Sequence, residues 1–264
     1  MMNLVRQGIR TGVVTTRYPA ELESAPPGYV GQIELIRERM DPARARECAA
    51  ICPTGAIEAF EEGRIRLDRG RCIYCGLCVE HSPEMFAASQ DFETAVTRRE
   101  DLIVISGASV KPPPGRSAGR SPFRRSLHIR HIDTGDDGAT ISEAKLLDSP
   151  AFDMNRIGFF FTTSPRHADA LLVTGVVARA MERPLQETYE AMPEPRLIIA
   201  AGAEAISGAP FDASSAVAGG AGSILPIDIF IPGSPPAPLA LLYGLLLAVG
   251  RPGQKRPEES ERTQ

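Results

Sequence analysis

Between residues 127 and 231 the apolar positions gather into short runs: Leu127 to Ile132, Ile157 to Thr162, Ala170 to Val173, Leu197 to Ala201 and Ile227 to Ile231. Helically spaced stretches separate some of them. Short buried runs alternating with helices indicate a parallel sheet covered by helices. Val176 to Met192 reads as a helix closing before Pro193, and Pro238 to Val249 as one ending at Gly250. A doubly wound, flavodoxin-like sheet is the expected solution, with its ligand end at the loops that follow the strands. The stretch Pro210 to Gly222, rich in Ala, Ser and Gly, is expected as a flexible loop over that end. Nearer the start, Leu4, Val5, Ile9 and Val13 make a short apolar stripe.

Composition divides the chain further. Residues 107–126 hold Lys111, Pro112, Pro113, Pro114, Arg116, Arg120, Pro122, Arg124 and Arg125, a stiff basic stretch with no core, and so a linker. Residues 251–264 are charged, lack periodicity and are expected to be disordered. What remains is a first module, 1–106, and a second, 127–250. The length of 264 residues and 43% hydrophobic content suit a folded two-domain protein. A net charge of -4 argues against a nucleic-acid footprint. No signal peptide is expected, and the longest apolar stretch, Leu239 to Val249, is far short of the roughly 20 residues a membrane span needs. Neither a dinucleotide fingerprint, nor a Walker loop, nor a G-x-S-x-G elbow is present.

Chemistry concentrates in the first module. All five cysteines lie between Cys48 and Cys78. Cys72-Ile73-Tyr74-Cys75-Gly76-Leu77-Cys78, running on to Ser82-Pro83, is the bacterial ferredoxin run with serine in place of its last cysteine. The upstream half survives as Cys48-Ala49-Ala50-Ile51-Cys52-Pro53, its first two ligand positions falling on Pro42 and Ala45. In such ferredoxins the last cysteine of each run ligates the other cluster. Cys52, Cys72, Cys75 and Cys78 therefore complete one [4Fe-4S] site. The second site would need Pro42, Ala45, Cys48 and Ser82, and should be absent, leaving Cys48 a buried spectator. Ile73, Tyr74 and Leu77 are expected as apolar cover. Four thiolates also suit tetrahedral zinc, but the double C-x2-C spacing with a distant Cys-Pro favours iron and sulfide.

Two further stretches carry a resemblance. Thr163 to Gly175 and Ile231 to Pro238, with Leu242-Tyr243-Gly244, are similar to signatures of the small subunit that carries the terminal cluster in respiratory complex I and in formate hydrogenlyase-type (group 4) [NiFe] hydrogenases. The first module, including Ile9 to Val13 and Arg17-Tyr18-Pro19, resembles the ferredoxin-like subunit of the same complexes. The chain thus looks like two neighbouring subunits fused: a ferredoxin-like α+β iron-sulfur domain, then a flavodoxin-like parallel-sheet α/β domain. The resemblance implies an electron-transfer subunit with one [4Fe-4S] cluster, not a catalyst alone, bound to the large and membrane subunits of a hydrogenase-like or complex I-like assembly. It also implies peripheral attachment, through those partners, to the cytoplasmic face of the inner membrane. The apolar stripe at Leu4 suits docking on a membrane subunit or packing on its own domain. A structural or regulatory subunit, with the cluster as a folding staple, is the competing reading.

The resemblance breaks at the family's terminal cluster, which needs four cysteines where the second module has none. Its ligand positions fall on Asp137 and Thr140, ahead of a retained Glu143, then on Glu204 and Ser234. Such oxygens do not replace thiolates around a cubane, so that cluster is expected to be lost. The vacated pocket reads either as a hard-cation site or as drift to polar residues. Arg166 and His167 precede a strand, with Asp169 expected to fix their turn. His81 reads as an exposed loop histidine, and His128 and His131 as structural.

Overall fold

The computed structural model describes residues 2–26, 28–36, 38, 40–107, 122–123, 125–211 and 213–251. Most of the linker and all but the first residue of the tail lie outside the described residues.

Helix α1 (Met2–Thr11) comes first, followed by β1 (Ile33–Leu35), α2 (Pro42–Ile51), β2 (Ile57–Ala59), β3 (Ile65–Asp68), α3 (Leu77–His81), β4 (Phe86–Ala88) and β5 (Ile103–Ile105). Strand β1 pairs antiparallel with β4, and β3 is the centre of an antiparallel β2-β3-β5 sheet. Helix α2 starts where Asp41 accepts hydrogen bonds from the Ala43 and Arg44 amides at 2.9 and 3.2 Å, with Pro42 at the first helical position. Ile33, Ile57, Ile65, Leu67, Met85 and Phe86 form a small core against Ala45, Cys48, Cys72 and Cys78.

The second module continues with β6 (Leu127–Asp133), α4 (Ala139–Leu146), β7 (Phe159–Phe161), β8 (Ala170–Thr174), β9 (Val177–Ala178), α5 (Glu182–Glu190), β10 (Leu197–Ala201), α6 (Ala203–Ser207), β11 (Val217–Gly219), β12 (Ile229–Ile231) and α7 (Pro238–Ala248). Its five-stranded sheet is parallel throughout, in the order β7-β6-β8-β10-β12. Counted along the chain this is 2-1-3-4-5, the expected doubly wound order, which reverses between β6 and β8. Alternation sorts the side chains. Leu127, Ile129, Leu172, Ile199 and Ile231 meet Leu241, Leu242, Leu245 and Leu246 of α7 on one face, and Ile132, Leu171, Val173 and Ile198 meet Leu185 of α5 on the other. Strand β8 is buried along its whole length, which explains its unbroken apolar run.

Three boundaries differ from the sequence reading. The helix expected over 176–192 begins only at Glu182, because Val177–Ala178 pairs with β11 and a 3-10 turn, Arg179–Met181, intervenes. Pro184 is tolerated in a first helical turn, whose amides have no partners, but would break a helix begun at Val176. Residues 210–222, expected as a loop, contribute β11. Ile157 closes a 3-10 turn, and Gly158, at φ +93°, redirects the chain before β7.

The modules share packing. Tyr18, Phe92 and Ala95 are buried in the α7-side core, with Tyr18 set edge-on to Phe92 at 5.3 Å and donating to Glu93 Oε1 at 2.8 Å. Burial beside Glu93 raises the Tyr18 pKa well above the usual phenol range. Val96 bridges to Phe230, and Leu102 packs with Ala205, Ile206 and Phe230.

Candidate functional site

The cysteine loops are shaped by turns. After Cys52 the chain reverses through Gly55, at φ +59°, so that the Ala56 amide donates to Cys52 Sγ at 3.3 Å. Asp68, ion-paired to Arg99 at 2.6 Å, accepts from the Gly70 amide at 2.9 Å and sets the second loop. There Tyr74 and Gly76 take positive φ, 58° and 79°, and Gly76 opens α3, which carries Cys78. The outcome is one cavity lined by Cys52, Cys72, Cys75 and Cys78 together with Ile33, Ile57, Leu67, Ile73 and Leu77. Tyr74, expected in that cover, packs against the module's core instead. Cys72 and Cys78 are buried, Cys52 is half-buried and Cys75 is exposed. Burial pushes the Cys72 thiol up to about 12 and the Cys78 thiol to about 11; the neighbouring cysteines add to both, and nearby amide N–H groups offset part of the rise. Such thiols ionise only when a cation takes the proton's place.

Cys48 stands apart from this cavity. Fully buried, it donates to Ser82 Oγ at 3.3 Å. Arg44 also donates to that oxygen, at 3.3 Å, and to the His81 carbonyl at 2.8 Å. Pro42 and Ala45, the other two positions of the second ferredoxin site, are helical residues of α2, and Ala45 is fully buried. His81 pairs with Glu47 at 3.3 Å.

At the ligand end of the parallel sheet a second constellation appears. Asp133 ends β6 and accepts from the amides of Gly135 and Asp136 at 2.9 and 2.8 Å, while Asp137 accepts from Ala139 at 2.8 Å. This turn brings carboxylate oxygens of Asp136, Asp137 and Glu204 within 4.8 Å of one another, the only such tight group of His, Cys, Asp or Glu among the described residues. Glu204 is pushed up to about 7, first by burial and then by Asp137, Asp136 and Asp133. Glu204 Oε2 and Asp136 Oδ2 are buried without a hydrogen-bond partner among the described residues. Thr140 is buried, and a Cβ added at Gly202 would stand 3.3 Å from its Oγ1 and 3.7 Å from the Gly233 carbonyl, beside Ser234. The positions read as Asp137, Thr140, Glu204 and Ser234 thus fall at one end of the sheet. Asp136 was missed, although its place one residue before Asp137 was the available signal. Burial also raises the Glu143 carboxyl.

Gly175 holds this turn in place. It sits at φ +77°, and a Cβ there would lie 2.1 Å from the Asp136 amide nitrogen. Gly175→Ala is expected to cost about 2–4 kcal/mol, read as a lowered denaturation midpoint, because backbone must yield.

His131 and His128 are held by contacts within the second module. His131 Nε2 lies 2.9 Å from Thr174 Oγ1, and burial lowers its pKa. His128 stacks on Phe160. Asp169 corrects the sequence reading: it does not fix its own turn but reaches across to β6, accepting from the His128 amide at 2.8 Å. Arg166 and His167 lie exposed in a 3-10 turn.

With this geometry in view, residues 137–248 match the family model described as NADH ubiquinone oxidoreductase, 20 Kd subunit. The chain is 41% identical, over 133 residues, to formate hydrogenlyase subunit 7 of Escherichia coli (strain K12), an alignment covering 50% of this chain and 52% of that protein. It therefore spans about half the length of the curated relative it matches. Among solved structures it is similar to a chain of the membrane-bound sulfane sulfur reductase, an archaeal respiratory membrane complex, at 27% identity and TM-score 0.43 over 53% of this chain and 81% of that one. It is also similar to a chain of an NAD+-reducing [NiFe]-hydrogenase in the H2-reduced state, at 17% identity and TM-score 0.40 over 51% of this chain and 97% of that one.

Proposed function

We propose that this protein is an electron-transfer subunit with one [4Fe-4S] cluster, held by Cys52, Cys72, Cys75 and Cys78, in a membrane-associated hydrogenase-like or complex I-like oxidoreductase complex. One observation carries the reading: these four cysteines line a single cavity, while Cys48 turns away to Ser82. The donor set fits the group. Tetrahedral zinc would draw its sulfurs to about 3.8 Å apart, as Zn–S bonds of about 2.3 Å require. The double C-x2-C spacing of Cys72, Cys75 and Cys78 with the distant Cys52-Pro53 supports the cubane instead.

Bound there, the cluster would supply one-electron exchange between two oxidation levels. The chain's own part is burial, N–H donors and charge. Buried Ile33, Ile57 and Leu67 shield one side from water, and the Ala56 amide donates to Cys52 Sγ. Arg69 donates to the Ile33 carbonyl at 3.2 Å and lies close enough to Cys72 to feel its charge. A cation beside the ligands favours the added electron, so Arg69→Gln is expected to make the potential more negative by tens of millivolts, on the order set by a partly screened charge. A potentiometric titration followed by EPR measures this.

In this reading residues 1–106 form a ferredoxin-like domain joined by the 107–126 linker to the 127–250 domain, and residues 251–264 are a disordered tail. The second domain keeps the family's docking surfaces without its terminal cluster, since it holds no cysteine. The chain would bind large and membrane subunits on the cytoplasmic face of the membrane. No helix of the described residues is long and apolar enough to cross a bilayer. A second reading, a structural or regulatory subunit with the cluster as a staple, draws on the place of Cys72 and Cys78 within the module's core. The titration separates them: a centre that never reduces, yet whose removal unfolds the first module, identifies the staple.

A further inference from the structure

Helix α1 divides into two halves without exception. At about 100° per residue, Leu4, Val5, Gly8 and Ile9 share one side, and Asn3, Arg6, Gln7, Arg10 and Thr11 share the other. Amphipathic helices of globular proteins turn their apolar side to a core, but this one does not. Leu4, Val5 and Ile9 are 74%, 61% and 78% exposed, and the apolar residues continue outward at Val13 and Val14, 86% and 58% exposed. Packing on its own domain is thereby ruled out.

The chain becomes anchored just beyond. Thr15 Oγ1 donates to the Pro150 carbonyl at 2.6 Å, the Thr16 amide donates to the Ala151 carbonyl at 2.8 Å, and Arg156 Nη2 donates to the carbonyls of Thr16 and Tyr18 at 2.7 and 2.6 Å. Helix α1 therefore projects from a fixed point on the second module. Beside that point lies an open cleft lined by Arg125, Asn155, Arg156, Ile157, Gly158 and Arg251, with three guanidinium groups and no carboxylate in its lining.

Charge identifies the occupant. Residues 2–16 hold Arg6 and Arg10 with no Asp or Glu, in a chain of net charge -4, and Arg17, just beyond, is ion-paired to Glu21 at 2.8 Å. A helix with one apolar half and a purely basic and neutral other half, leading to an anchor at Arg156 of an arginine-lined cleft, complements a surface that is apolar in depth and negative at its rim. We propose that α1 lies in the interfacial layer of a bilayer containing anionic phospholipid, its apolar half facing the acyl chains and Arg6 and Arg10 at the headgroups. A ten-residue helix is marginal alone in water, and the interface supplies the burial it lacks. This contact is direct, so it adds to attachment through partner subunits and stands whether or not the first module holds a cluster.

The test is cosedimentation of the full chain with vesicles of phosphatidylcholine alone or mixed equally with phosphatidylglycerol, at low and high salt. Binding is expected to the anionic vesicles at low salt, weakening as salt rises. It should drop about tenfold or more for Ile9→Glu and roughly fivefold for each of Arg6→Gln and Arg10→Gln. Because these side chains are exposed, unchanged thermal melts confirm that the variants fold. Failure of the wild-type chain to bind anionic vesicles, or equal binding by Ile9→Glu, overturns the proposal. So does protection of α1 only by a protein partner in the assembled complex.

Discussion

Cys72→Ala is expected to reduce bound iron from about four per chain to background and to abolish the visible absorption of anaerobically reconstituted protein. The matched variant Cys48→Ala should leave both unchanged. The contrast follows from geometry: Cys72 lines the cavity shared with Cys52, Cys75 and Cys78, whereas Cys48 Sγ is committed to Ser82. Loss of one ligand leaves three thiols for four irons, and one of them, Cys78, is pushed up by burial to about 11. Metal binding also contributes folding energy, so Cys72→Ala should loosen the β2-β3-β5 sheet and its neighbours. Removing the Cys48 sulfur costs only a small cavity, about 1 kcal/mol. Iron retained in Cys72→Ala, or lost in Cys48→Ala, would reassign the ligands.

The second large effect is at the ligand end of the parallel sheet. Glu204→Gln is expected to stabilise the protein at pH 8 and to change little at pH 4.5. The folded-state value of Glu204 is raised from 4.5 to about 7, by burial and by Asp137, Asp136 and Asp133. Well below pH 4.5 both states hold the proton and the group is neutral to stability. Between 4.5 and 7 the unfolded chain ionises while the folded one keeps its proton, so stability falls as pH rises, and above 7 the loss is complete. Glu204 is only partly buried, so solvent screening reduces the cost to about 1–2 kcal/mol. Urea midpoints at the two pH values measure it. Stabilisation of the wild type by magnesium, lost in Glu204→Gln, would instead identify a hard-cation site.

The parallel sheet was the most legible part of the sequence. Leu197 to Ala201 coincides with β10, because a run buried on both faces advertises itself by composition. Helix α7 was equally plain, opened by Pro238 and stopped before Gly250. The Val176 boundary was hidden because Val176-Val177 continue an apolar rhythm while Val177–Ala178 pairs with a strand some 40 residues on, and spacing cannot report a distant partner. For the sites, the C-x2-C steps named Cys72, Cys75 and Cys78 by local spacing, while Cys52 came from the crossed ligation of the ferredoxin pattern. The resemblance had already put Asp137 and Glu204 at one vacated pocket, but spacing alone did not add Asp136, which the turn after β6 brings to the group. The exposure of α1 was also beyond the sequence, whose stripe suits a core as well as a membrane.

The central claim is one cubane and no second. Its most direct test is iron and acid-labile sulfide analysis, with Mössbauer spectroscopy, of the full chain purified or reconstituted without oxygen. About four irons and four sulfides per chain, as one [4Fe-4S] centre, is the expected result. Zinc in their place, or about eight irons, would contradict it.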